Sequence, residues 1–354
     1  MKYLIYTFGC QMNKSDSERI AAVLEKIGYQ KTLDINRADL IVINMCSVRQ
    51  SAVDRVFGLS EKIKELRDRK NKKLRVILTG CVLRPDAKMF KKRFDFVLNI
   101  KDLAKWPKFL NSSKTYNKKV KNYFEIQPKS SNKFSALIPV SSGCNNFCSY
   151  CVVPYTRDRL ICRSHTEVIN DAKKSIKNGF REIWLLGQNV NDYHSPTNPS
   201  VDFAKLLKMV DNILGVFKIF FISPHPKNFS DELIDALSRC KKFGKRLNLP
   251  VQSGDDTILK RMNRPYTVSQ YKKLVKKIRT KIPDINLSTD VIVGFPGETK
   301  KQFNNTVKLF KEIKFNIAYI AKYSPRSGTP AYQMKDNITI KEKKRREKIL
   351  RQLF

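Results

Sequence analysis

Two sets of three cysteines carry the chemical signal of this sequence. Cys144, Cys148 and Cys151 lie in Gly143-Cys144-Asn145-Asn146-Phe147-Cys148-Ser149-Tyr150-Cys151, a C-x3-C-x2-C spacing. Three thiolates this close, without a fourth ligand nearby, suit a cubane iron–sulfur cluster with one iron left open. Electron-transfer clusters take four cysteines and close that position. An open metal position is a place for substrate, the logic that separates catalytic from structural zinc. Zinc is the competing reading, yet the nearest histidines, His165 and His194, do not fall at a zinc-finger offset. The second set is dispersed. Cys10, Cys46 and Cys81 stand 36 and 35 residues apart, and each follows a strand-like stretch: Lys2–Phe8, Asp39–Asn44 and Arg75–Thr79. One β-α unit per step makes these strands parallel and brings their carboxyl ends to one edge, where open α/β sheets bind ligands. The three thiols are placed to converge on one ligand. The plainer alternative is three small buried thiols at strand ends.

The elements that must position these groups follow from periodicity. In the first hundred residues, apolar Ile20, Val23, Leu24 and Ile27 mark a helix over Asp16–Gly28, and a second is expected over Ser51–Arg69. Residues 101–133 read as a Lys-rich linker, with Tyr116, Tyr123 and Phe124 able to support a short edge strand. From residue 135 a new β-α series starts. Strands are predicted at Ala136–Val140, Glu182–Leu186, Phe217–Ile222, Arg246–Val251, Asn286–Val293 and Phe315–Tyr323. Helices are predicted at Thr166–Asn178, Asp202–Ile213, Asp231–Arg239, Ser269–Lys281 and Lys300–Lys314, with a basic helix over Lys341–Phe354. Six strands in regular alternation argue for a parallel sheet partly closed into a barrel. The fold class is therefore α/β: an N-terminal three-layer domain with a parallel sheet over residues 1–115, a linker over 116–133, and a partial six-stranded β/α barrel over 134–354.

Composition narrows the function classes. Seventy Lys+Arg against 32 Asp+Glu leave a net charge of +38, which calls for a polyanionic partner, nucleic acid first, because phosphate neutralisation drives such binding. A generally Lys-rich surface would give the same number. No apolar run reaches the length of a membrane span, and no signal peptide is evident. A cytoplasmic location is expected. Eight cysteines in such a chain point to metal or redox chemistry rather than disulfides.

The cluster motif after the first barrel strand resembles the radical S-adenosylmethionine enzymes. Thr7-Phe8-Gly9-Cys10-Gln11-Met12-Asn13, Asn44-Met45-Cys46-Ser47-Val48-Arg49, Gly80-Cys81 and Leu186-Gly187-Gln188-Asn189-Val190-Asn191 narrow the resemblance to the methylthiotransferases, on the branch acting on N6-dimethylallyladenosine in tRNA. It runs from Met1 to about Tyr332. The resemblance implies a 4Fe–4S cluster on Cys144, Cys148 and Cys151 that binds S-adenosylmethionine and yields a 5′-deoxyadenosyl radical. It implies a second, auxiliary 4Fe–4S cluster on Cys10, Cys46 and Cys81 that carries the sulfur. The expected product has a methylthio group at carbon 2 of N6-prenylated adenosine 37 in the anticodon loop, with S-adenosylmethionine as both methyl donor and radical source. By the same resemblance Gly187, Gln188 and Asn189 meet the methionine part of the cofactor, and Val293 and Gly294 back its adenine. Gln252 and Ser253 follow the fourth strand and face the active mouth. A flavodoxin- or ferredoxin-like electron donor and a monomeric state are also expected, while the sulfur donor stays unknown. The alternatives are a methylthiotransferase for threonylcarbamoyladenosine, one for a ribosomal-protein aspartate, and a non-catalytic iron–sulfur protein that binds nucleic acid.

Several residues depart from the family pattern. Asp158 replaces Gly after Pro154-Tyr155-Thr156-Arg157, Leu160 replaces Glu, Cys162 stands where Ser is usual, and Asn248 precedes Leu249-Pro250 in place of His. Arg157, Arg159 and Arg163 are suited to phosphate or carboxylate contacts, or to a solvated face. Cys240 is expected to be inert. The family usually carries a small RNA-binding TRAM domain after the barrel, whereas this sequence stops at Phe354 in the helix that would lead into it; either the sequence is cut short there or the protein is expected to lack that domain. If it lacks it, RNA affinity is expected from the +38 charge, the Lys-rich linker and the basic tail (Lys341–Arg346, Lys348, Arg351).

Overall fold

The computed structural model describes all residues except 71–73, 111–119, 121 and 131. They separate into two compact units, Met1–Lys133 with Tyr155–Arg157, and Phe134–Pro154 with Asp158–Phe354.

The first unit is built on three parallel neighbours, β1 (Lys2–Phe8), β2 (Leu40–Cys46) and β3 (Arg75–Cys81), with short edge strands Gln30–Lys31 and Phe96–Val97. Because side chains alternate across a sheet, Leu40 and Val42 enter one apolar cluster while Ile41 and Ile43 enter another. The first cluster holds Ile20, Val23 and Leu24 of helix α1 (Gln11–Lys26). The second holds Val53, Val56 and Ile63 of helix α2 (Gln50–Lys70). The result is three layers, with β2 buried along its whole length.

The linker expectation is corrected here. Tyr123–Glu125 is a single 3-10 turn, not an edge strand. Tyr123 and Ile126 are buried in the same cluster as Trp106 and Leu110. Apolar residues scattered through a basic stretch anchor it to the sheet's covering layer, and composition alone hides them. Tyr116 lies outside the described residues.

The second unit carries six parallel strands: β4 (Ser135–Pro139), β5 (Glu182–Leu186), β6 (Lys218–Phe221), β7 (Arg246–Asn248), β8 (Asn286–Val293) and β9 (Ile317–Lys322). They form two three-stranded sheets, each in sequence order, joined through single bridges such as Ile219 to Phe243 and extended by Gln252 to Val291. Helices α3 (His165–Lys177), α4 (Phe203–Asp211), α5 (Asp231–Arg239), α6 (Val268–Lys281) and α7 (Lys300–Ile313) alternate with the strands. Thr267 with Gln270, and Thr299 with Gln302, close capping boxes at the starts of α6 and α7. Strand β7 is shorter than expected because Pro250 has no N–H for the ladder. Two features had no periodic signal: the pairing of Ser141–Ser142 with Ile161–Cys162, and that of His194–Ser195 with Asn198–Asp202.

The last helix, α8 (Ile340–Arg351), alters the reading of the basic tail. Lys343, Arg346 and Leu350 are buried. Arg346 donates to Glu298 Oε2 at 2.6 Å and to Glu342 Oε1 at 2.8 Å, and Lys343 donates to Asp336 Oδ2 at 2.6 Å. Two of the tail cations therefore fasten the helix to the barrel rather than standing free for RNA. Among the described residues, no helix is long and apolar enough to cross a membrane.

Candidate metal centres

In the first unit all three cysteines sit at the carboxyl edge of the sheet. Cys10 caps α1 just past β1, and Cys46 and Cys81 end their strands as register partners. The Cys46 and Cys81 thiols lie close enough to couple to each other. Gly80 must adopt φ +105°, and a Cβ there would sit 2.3 Å from the Met45 carbonyl oxygen, so only glycine brings Cys81 to this edge. An amide network holds Cys10. Its N–H and Sγ approach Asn13 Oδ1 at 3.2 and 3.5 Å, Asn13 Nδ2 donates to Asn44 Oδ1 at 2.9 Å, and Asn44 Nδ2 returns to the Asn13 carbonyl at 2.7 Å.

One arginine enters this site. Arg157 is 2% exposed; its Nε donates to Cys81 Sγ at 3.0 Å, and its two Nη atoms grip the fully buried carboxylate of Asp16. The Tyr123 hydroxyl donates to the same carboxylate, and Arg19 lies 5.2 Å over the Tyr123 ring. The hydrogen bond from Cys46, followed by the Arg157 charge, draws Cys81 below the usual thiol range against its burial. Donating that bond pushes Cys46 up, and burial pushes Cys10 up.

In the second unit, Cys144, Cys148 and Cys151 share one loop after β4. Gly143 takes φ +83°, with an added Cβ only 2.1 Å from the Arg159 carbonyl oxygen. The loop is tied down by backbone and side-chain bonds: Ser149 N–H to the Met262 carbonyl at 3.0 Å, Ser149 Oγ to the Arg261 carbonyl at 2.8 Å, and Asn263 Nδ2 to the Phe147 carbonyl at 2.8 Å. Burial raises Cys144 above the usual thiol range. It raises Cys151 to about 12, with the neighbouring Cys148 adding to the rise.

An arginine enters here as well. Arg264, 6% exposed, donates from Nη1 to Cys148 Sγ at 3.6 Å, from Nε to the Tyr266 hydroxyl at 2.8 Å and from Nη2 to the Pro250 carbonyl at 2.9 Å. Among the described residues no carboxylate pairs with it; Tyr150, Tyr266 and Cys148 lie against it, and its charge also reaches His225 and Cys151.

The remaining predicted contacts sort into two kinds. Gln188 is a structural brace: its Oε1 accepts the Gly143 N–H at 2.6 Å. Ser253 is fully buried, its hydroxyl accepting from the Asp255 N–H at 3.3 Å. Gln252 bridges to β8 by backbone alone, in a left-handed conformation of φ 70°. Val293 is buried, and the Gly294 N–H donates to Glu298 Oε2 at 2.7 Å. Asn189 differs. It is 1% exposed and neither side-chain polar atom makes a well-formed hydrogen bond; it only approaches Asp192 loosely. Gly187, by contrast, shapes the turn, since a Cβ there would meet Ser141 Oγ at 2.7 Å.

Sequence reasoning missed Arg264, Asp16 and His225. The backbone of His225 exchanges two bonds with the Asn191 amide, at 2.7 and 3.0 Å, and its Nδ1 accepts the Lys227 N–H at 3.1 Å. Its Nε2 is therefore the protonated nitrogen of a neutral ring, and it has no partner. Burial, then the charges of Arg264 and Lys227, drive His225 down to about 2. Asn191 lies in the quoted Gly187–Asn191 run and was the available signal for His225. Cys162 and Cys240 pack against the barrel core outside both triads.

Both triads fit a cluster. Each offers three buried or half-buried free thiols at a strand's carboxyl end, with a cation on one sulfur. In the second unit the buried Arg264 pairs with no carboxylate among the described residues, and the Asn189 amide makes no well-formed hydrogen bond. Among the described residues no three His, Cys, Asp or Glu side chains crowd one point as ligands of a single ion would. A cubane binds each thiolate to a different iron, so its ligands stand further apart.

Residues 138–310 match the Radical SAM superfamily, and residues 2–100 match the Uncharacterized protein family UPF0004. The tRNA-2-methylthio-N(6)-dimethylallyladenosine synthase of Clostridium botulinum strain Hall is 41% identical over 95% of this chain and 78% of its own length. The protein of the same name from Clostridium tetani is 39% identical over 95% and 77%. Among solved structures, the radical S-adenosylmethionine methyltransferase TsrM from Kitasatospora setae superposes with TM-score 0.65 at 14% identity, covering 94% of this chain and 76% of that one. The cobalamin-dependent radical enzyme OxsB gives 0.60 at 10% identity, covering 99% and 56%. At such identities these two speak for the fold alone.

Proposed function

The chain belongs to the tRNA methylthiotransferase family of radical S-adenosylmethionine enzymes, and from that premise we propose that it places a methylthio group on carbon 2 of N6-prenylated adenosine 37 in the tRNA anticodon loop. The observation that supports this most is the presence of two three-cysteine sets in one chain, Cys10/Cys46/Cys81 and Cys144/Cys148/Cys151. One cluster suffices for radical generation; a second open site is what sulfur insertion adds.

The family's 4Fe–4S cluster and S-adenosylmethionine supply one-electron cleavage chemistry and the methyl group when bound. The chain's own residues do the rest. Cys144, Cys148 and Cys151 would hold the radical cluster, and Cys10, Cys46 and Cys81 the auxiliary one. Gln188 and Gly143 fix the loop that presents Cys144. The Asn189 amide, which makes no well-formed hydrogen bond, would bind the amino-acid end of the cofactor. Gly294, held by Glu298 and backed by α8, would line its adenine side. The neutral Nε2–H of His225 would donate to a ligand acceptor in the barrel mouth. A target adenine in a loop is single-stranded and can enter such a mouth at little unpairing cost. The +38 charge favours the RNA substrate over a basic ribosomal protein. A flavodoxin- or ferredoxin-like donor and a monomer in the cytoplasm complete the reading.

The test is an anaerobic incubation of reconstituted protein with prenylated tRNA, S-adenosylmethionine, sulfide and reductant, followed by nucleoside mass spectrometry. A methylthio-prenyladenosine peak is expected. A product only with threonylcarbamoyl-tRNA would move the assignment to that branch.

A further inference from the structure

Each triad has one buried arginine donating to one sulfur, and the two arginines differ in their counter-charge. Arg157 on Cys81 has its charge balanced by the buried Asp16. Arg264 on Cys148 meets two tyrosines, a carbonyl and the thiol, and no carboxylate among the described residues. A buried cation without a counter-charge is costly. The anion that the site lacks is the one its three thiolates would bring.

We infer that Arg264 sets the reduction potential of the cluster on Cys144, Cys148 and Cys151, acting as an uncompensated positive charge on the Cys148 sulfur, whereas Arg157, neutralised by Asp16, fixes Cys81 with little effect on potential. This rests on the reading that the triads hold clusters. Reduction adds one electron from a low-potential donor, dithionite in the test; no bond forms or breaks and no proton moves. The Arg264 guanidinium donates to a thiol that would hold the cluster, in a poorly screened interior, so the cation would favour the reduced form. Hydrogen bonds to sulfur and net local charge are the general levers on such potentials.

The experiment is a dithionite titration of the reconstituted full chain, monitored by electron paramagnetic resonance. The signal that changes when S-adenosylmethionine is added identifies the second unit's cluster. Arg264→Met is expected to lower the ratio of reduced to oxidised cluster at fixed poise about tenfold, a shift of about 59 mV for a one-electron couple. Arg264→Lys, which keeps the charge and loses the fork, should stay near wild type. Arg264→Met with iron retained and an unchanged midpoint overturns the inference, and so does Arg264→Lys shifting as far as Arg264→Met. Should Arg264→Met fail to load iron, Asp16→Asn decides. It leaves Arg157 unbalanced and should raise the reduced fraction of the other cluster by a similar factor; no change there overturns the inference. Wild-type protein that loads no iron on the Cys144 triad overturns the functional reading instead.

Discussion

The two cysteine triads are assembled by opposite routes. Cys144, Cys148 and Cys151 are neighbours in sequence, and the fold's work is to stiffen one loop. Cys10, Cys46 and Cys81 are neighbours only because three parallel strands end on one edge. Their surroundings differ too: a charge-balanced Arg157–Asp16 pair in the first unit, an unbalanced Arg264 in the second. A local motif thus needs one stiffened loop, while a dispersed one depends on a sheet and on buried pairs that pin it.

The largest test of this comparison is to remove one ligand from each site. Cys46→Ala and Cys148→Ala should each reduce iron from roughly eight to roughly four per chain, measured by iron assay. If either single change empties both sites, the triads are not independent. Next come the glycines. Gly80→Ala and Gly143→Ala force a Cβ into backbone at positive φ, and each should cost about 2–4 kcal/mol in urea unfolding. Gly143→Ala should impair the second cluster alone.

His225 gives a pH signature confined to the second unit. Its folded pKa lies near 2, far below the unfolded value of about 6.5. The unfolded chain therefore binds a proton that the folded chain refuses, and stability falls as pH drops below about 6.5. By pH 5 the loss from this group is about 2 kcal/mol. His225→Gln should flatten that part of the stability–pH curve; an unchanged slope would place the acid sensitivity elsewhere. Asn189→Ala should weaken S-adenosylmethionine binding about tenfold in equilibrium dialysis, with little change in stability, since its amide makes no well-formed bond in the folded chain. The smallest effect concerns the charge. Affinity for tRNA should fall steeply with salt, and Lys341→Ala on the exposed side of α8 should lower the log–log slope by about 1. A flat salt dependence would contradict electrostatic docking.

Much of this arrangement is legible in the sequence, and the exceptions have physical reasons. The 36- and 35-residue spacing of Cys10, Cys46 and Cys81 reveals the sheet edge because each β-α step has a narrow length range. The C-x3-C-x2-C loop is legible outright. Arg264 was not, since its link to Cys148 spans 116 residues and one arginine among 70 Lys+Arg carries no mark. Asp16 and Arg157 meet across 141 residues for the same reason. The basic tail misled because its buried Lys343, Arg346 and Leu350 form a helical stripe that charge counting overlooks. Tyr123 and Ile126 were hidden in the same way among lysines.

The central claim is that the two triads perform separable steps of one methylthio transfer. The most direct measurement follows 5′-deoxyadenosine and modified nucleoside together, by mass spectrometry, in wild type, Cys46→Ala and Cys148→Ala with prenylated tRNA. The account predicts both species in wild type, deoxyadenosine without methylthio product in Cys46→Ala, and neither in Cys148→Ala. Methylthio product from Cys46→Ala, or deoxyadenosine from Cys148→Ala, would contradict it.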